Sequence, residues 1–186
     1  EQTLMKTVLL LVLLALCADY LPAAETRTEI TKATTPAEDS KPNSPSVPDV
    51  VAIDGKFERV VILRFKYQAD LLAGLEQGVK EQKIRNGVIL SAIGSVRSYH
   101  YHTVSNRTFP SKNIFVKNLE ATADIISMNG YVLDGRLHPH ITFSTPERSF
   151  GGHLEPGTEV FTFAVVTIGV LADALDLKRL DDKTYR

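Results

Sequence analysis

Between residues 69 and 85 the apolar positions Leu71, Leu72, Leu75 and Val79 recur at three- and four-residue spacing, with charged residues on the other face. That period predicts one amphipathic helix. Asp70 is placed to cap its start and Asn86-Gly87 to stop it. Elsewhere the pattern has period two or runs continuously apolar, which predicts strands over 58–65, 88–93, 96–104, 121–128, 131–133, 136–143 and 160–168. Asn129-Gly130 carries a tight-turn signal between two of them. The run 160–168 is apolar on both faces, so it is either central in the core or covered by another subunit. One helix against about seven strands predicts an α+β fold dominated by an antiparallel sheet.

The two ends of the pattern differ from its middle. Thr7 to Leu16 form a short apolar run after Met5-Lys6, which reads as a signal peptide over residues 1–24 with Met5 as its start. The run is too short for a membrane span, which needs about 20 apolar residues. The expected mature chain is therefore exported, periplasmic or secreted, without a transmembrane segment. Anchoring through a lipid on Cys17 is the less favoured variant, because Leu16 is large where such sites want a small residue. Residues 25–51 are rich in Pro, Thr and Ser and read as a disordered linker. The folded domain is expected over 52–186.

Composition adds two limits. The 186 residues allow one ordinary domain plus a tail, and a net charge of −1 argues against nucleic acid, whose phosphates call for a concentrated basic surface. Cys17 is the single cysteine, so the mature chain has neither a disulfide nor thiol chemistry to offer.

Candidate chemistry rests on histidine. In a strand over 136–143, Leu137, Pro139, Ile141 and Phe143 fall on one face and His138, His140 and Thr142 on the other. His153 follows Gly151-Gly152, which permits a close approach of a neighbouring strand. Three neutral imidazoles with a vacant position form a recognised zinc arrangement, so His138, His140 and His153 are the candidate metal ligands. All-His ligation also suits copper, nickel and iron. His100 and His102 make a second His-x-His pair, with Tyr99 and Tyr101 on the opposite face, and their contribution to the same site is open.

The segments Ile89-Leu90-Ser91-Ala92-Ile93-Gly94-Ser95-Val96, Ile125-Ile126-Ser127-Met128-Asn129-Gly130, His138-Pro139-His140-Ile141 and Phe150-Gly151-Gly152-His153-Leu154 occur in this order. In order and spacing they resemble the plants-and-prokaryotes conserved (PPC) domain over about 58–180. The resemblance implies an antiparallel sheet of about seven strands with one main helix, assembled as a homotrimer, with zinc on His138, His140 and His153. Plant members carry an AT-hook that enters DNA, but this sequence has no Arg-Gly-Arg-Pro segment.

These features together predict an exported, zinc-binding PPC-domain homotrimer that takes a small ligand at a three-His site. A zinc-dependent hydrolase or hydratase is the first alternative, since zinc with an open position makes hydroxide available near neutral pH. A DNA-associated or scaffolding protein is the second.

Overall fold

Residues 24–31 and 43–182 are described by the computed structural model. They form β1 (Thr26–Thr31), β2 (Phe57–Phe65), α1 (Leu71–Glu81), β3 (Asn86–Val96), β4 (Tyr99–Val104), β5 (Lys112–Asn118), β6 (Ala123–Leu133), β7 (Arg136–Ser144), β8 (Ser149–Leu154) and β9 (Val160–Leu171). All nine strands join one antiparallel sheet in the order β1-β5-β4-β8-β7-β6-β3-β9-β2. The α+β expectation holds, with two more strands than the periodicity predicts. The segment expected to be a signal peptide, with Met5 and Cys17, lies outside the described residues up to Pro22 and Ala23.

The helix lies where the apolar spacing puts it. Leu71 and Leu75 are fully buried and Val79 nearly so, in one core cluster with Phe65 and Val61 of β2 and the inner positions of β9. Each such leucine contributes about 1.5–3 kcal/mol by leaving water. Asp70 caps the start: one carboxylate oxygen accepts the Ala73 N–H at 2.9 Å and the other the Gly157 N–H at 2.6 Å. The end comes four residues earlier than the sequence pattern suggests. Lys83 takes a left-handed conformation (φ 51°), its N–H bonds the Lys80 carbonyl, and the Ile84 N–H bonds Val79 at 2.9 Å. This pair of bonds is a Schellman closure with lysine in the place glycine usually holds and Ile84 buried beneath it. Asn86-Gly87 instead opens β3.

Three other strand limits shift. Residues 96–104 are two elements: Val96 ends β3, the chain turns at Arg97-Ser98, and β4 begins at Tyr99. The turn is fixed by the buried Ser98 hydroxyl, which donates to the Gly157 carbonyl and accepts the Glu159 N–H. Asn129-Gly130 is not a turn. It lies within β6, where Gly130 pairs with Ile89 on one side and Pro139 on the other. Pairing on both edges overrides a two-residue turn signal. The hairpin between β6 and β7 closes instead at Asp134-Gly135, both at positive φ (52° and 80°), the requirement of a tight two-residue turn.

β1 lies within the stretch 25–51 expected as a linker, of which 32–42 lie outside the described residues. β1 adds itself to the free edge of β5 in register Thr26↔Lys117 to Thr31↔Lys112. Its N-terminal end is pinned by Glu25. That carboxylate accepts from the Tyr99 hydroxyl at 2.8 Å, from Arg148 at 2.6 Å and from Arg27 at 2.8 Å. Burial alone would raise the Glu25 pKa, but these three donors outweigh it and hold the carboxyl below its ordinary value. A low apolar content hides such a strand, because its stability comes from edge hydrogen bonds and one ion-pair cluster.

Candidate metal centre

Alternation along β7 decides which side chains are available. Pro139, Ile141 and Phe143 are buried, while His138 and His140 stand on the opposite, open face of the sheet, as the period-two pattern predicts. β8 then brings the third histidine alongside. His153 lies directly across from His140 on one side and from His102 of β4 on the other. The approach depends on the two glycines before it. A Cβ on Gly151 would meet the Ile141 carbonyl oxygen at 1.9 Å, and one on Gly152 the His102 carbonyl oxygen at 2.3 Å. Any larger residue would prise β8 away from β7 or β4.

One ring nitrogen from each of His138, His140 and His153 lies within 4.8 Å of the other two. Among the described residues this is the one group of three or more His, Cys, Asp or Glu side chains that converges in this way. The His138 and His140 rings are parallel, 4° apart, with their Nε2 atoms 3.3 Å from one another. The His153 ring stands nearly perpendicular to both, at 85° and 88°. Two nitrogens sharing a tetrahedral zinc at about 2.0–2.1 Å would be separated by about 3.3 Å. The donor set fits a borderline metal on chemical grounds as well. Burial, then the charges His138 and His102 would carry, lower the His140 pKa, which favours the neutral imidazole that binds metal.

The second His-x-His pair divides. His102 lies beside the cluster, its ring 4.6 Å from that of His153, and its Nδ1 contacts the Glu155 carboxylate at 2.5 Å. His100 instead meets the Pro156 carbonyl oxygen at 2.8 Å and packs near Phe115. Tyr99 and Tyr101 face the core, packed with Phe143 and Phe150.

A cleft of about 600 Å³ opens beside His138 and His140. Its wall includes Val88, Tyr131, Leu133, Leu180 and Asp181, with Asn129 at one side. Asn129 and Tyr131 face His140 and His138 across the β6–β7 ladder. None of these lining residues is a candidate in the sequence reading. Register alone places Asn129 and Tyr131, and nothing in the local pattern marks Leu180 or Asp181.

Fold, histidine cluster and glycine-dependent strand approach define a small antiparallel-sheet domain with three converging histidines. The chain belongs to the Plants and Prokaryotes Conserved (PCC) domain family, whose model matches residues 52–172. A metal-containing protein of Archaeoglobus fulgidus is 27% identical, with a TM-score of 0.57 over 66% of this chain and 86% of that one. A hypothetical protein of Salmonella is 25% identical, with a TM-score of 0.53 over 61% and 78%. A plant- and prokaryote-conserved protein of Pyrococcus horikoshii, 23% identical, shares the fold with a TM-score of 0.55 over 69% and 90%. Among curated proteins, the bifunctional protein GlmU of a Synechococcus strain is 29% identical over 121 residues, 64% of this chain. The chain spans less than a fifth of that relative's length, 18%.

Proposed function

We propose that this protein is a metal-binding PCC-domain protein that holds one zinc ion per chain on His138, His140 and His153. The convergence of three ring nitrogens within 4.8 Å carries the reading. The similar Archaeoglobus protein, named as metal-containing, supports it. Three ligands from the protein leave a position for a small ligand entering from the neighbouring cleft. When bound, the metal would act as a Lewis acid toward that ligand. The chain's own part is to hold three imidazoles in place, with Ile141 and Phe143 locking β7 from behind and Gly151-Gly152 setting the depth of β8. Self-assembly as a homotrimer is part of the same proposal, supported by the apolar outer face of β2, β9 and β3.

Elemental analysis of tag-free protein tests the metal. Wild-type protein should carry about one zinc per chain. Outer contacts of a metal site are worth about 10–100-fold in affinity, so removing a direct ligand through His140→Ala should cost at least about 100-fold. The His140→Ala protein should stay folded, because the core contacts of β7 lie on its other face. Full zinc occupancy in that variant would overturn the assignment.

A further inference from the structure

The metal site has a neighbour that the family match does not include. The family model ends at residue 172, yet the chain continues and returns to the cleft. We propose that Asp181, carried on this C-terminal segment, is a positioning residue for the metal centre, acting through His138. The inference rests on the zinc reading above.

The segment is built into the fold. The buried Asn86 amide donates to the Ala172 and Leu175 carbonyl oxygens at 3.2 and 2.9 Å, and Leu177 is 4% exposed. The Leu180 N–H closes a turn onto the Leu177 carbonyl oxygen at 3.1 Å. This brings the Asp181 carboxylate to the open face of β7. One oxygen accepts from Arg136 at 3.0 Å, and the other lies 3.5 Å from His138 Nδ1. Arg136 and His138 are two residues apart on one strand, so they present to the same side. The guanidinium holds one oxygen of the carboxylate, which leaves the second turned to the imidazole.

The two nitrogens of His138 then have separate surroundings. Nδ1 faces the carboxylate, while Nε2 faces His140 Nε2 at 3.3 Å. A neutral imidazole carries one proton. A carboxylate beside Nδ1 places that proton there and leaves the Nε2 lone pair for the metal. The carboxylate also resists rotation of a ring that is otherwise half exposed.

The test uses the full chain and three variants: Asp181→Leu, Asp181→Asn and Arg136→Gln. Zinc affinity is measured by competition with a chromophoric chelator, and the geometry of the centre by the visible spectrum of the cobalt(II) form. Asp181→Leu should weaken zinc about 10–100-fold and alter the cobalt spectrum. Asp181→Asn keeps an acceptor oxygen and should recover most of the loss. Arg136→Gln loosens the carboxylate without removing it and should cost less than Asp181→Leu. Unchanged affinity in Asp181→Leu overturns the inference. So does an equal loss in Arg136→Gln, which would reduce Asp181 to a tether for the segment. If wild-type protein binds neither zinc nor cobalt, the metal reading itself falls and takes this inference with it.

Discussion

At the scale of single residues, the candidate site draws both on strand geometry and on a distant stretch of chain. Strand alternation alone puts His138 and His140 on the open face and Ile141 and Phe143 in the core. His153 needs only the two glycines before it. Asp181 is different: it reaches His138 by way of a tail anchored on Asn86, a path that no local pattern encodes. The charge state of the cluster yields a further expectation. Burial, and then the charges of His138 and His102, lower the His140 pKa from 6.5. A native state that binds fewer protons than the unfolded chain is stabilised above the unfolded pKa and loses that contribution as pH falls through the lowered value. Metal-free protein should therefore hold a constant contribution from this residue above about pH 6.5 and lose it in acid. Urea unfolding between pH 8 and 5 would register this, and His140→Gln should flatten the dependence. An equal pH slope in both proteins would contradict it.

At the scale of elements, helix and core strands were legible because each buries a periodic apolar face, and their ends were not. α1 stops at a lysine in the left-handed region, a closure recognised only by the hydrogen bonds it makes. Asn129-Gly130 has the composition of a turn but is held in a strand by partners on both edges. β1 escaped because edge pairing defines it, β8 because glycine contacts do, and β5 because its apolar run, Ile114-Phe115-Val116, is only three residues long. β8 also ties fold to site most tightly. A methyl group on Gly152 would meet the His102 carbonyl at 2.3 Å, a backbone atom that cannot swing aside. Gly152→Ala should cost about 1–3 kcal/mol of stability, the usual range for overpacking. It should also displace His153 and lower the metal content expected on the proposed zinc reading, followed by thermal unfolding together with elemental analysis. A variant with wild-type stability and full zinc would show that β8 tolerates a wider spacing.

At the scale of the whole molecule, the described residues leave one face of β2, β9 and β3 uncovered. Val60 and Ile62 of β2, Phe161 and Phe163 of β9, and Leu90 and Ile93 of β3 are all exposed on adjacent strands. This is the surface on which the proposed homotrimer would make its contacts. The run 160–168, apolar on both faces in the sequence, divides between the core and the open face. Ala164, Val166 and Ile168 are buried within the chain, while Phe161 and Phe163 face outward. If copies meet there as a trimer, Ile62→Asp with Phe163→Asp should convert the assembly to a monomer at micromolar concentration. Light scattering would report about a threefold fall in mass, and an unchanged mass would exclude this face as the contact.

β1 and β2 are consecutive along the chain yet occupy opposite margins of the sheet. Thr26 pairs with Lys117, 91 residues later, so the first of the described strands has no β5 to join until that stretch has been made. At about 5–20 residues per second, synthesis of that interval takes roughly 5–18 s. Throughout it β1 is a loose end, and its docking is the step that seals β5 against strangers. β1 thus waits on β5 and then covers that strand's outer edge, acting as a clasp on the sheet.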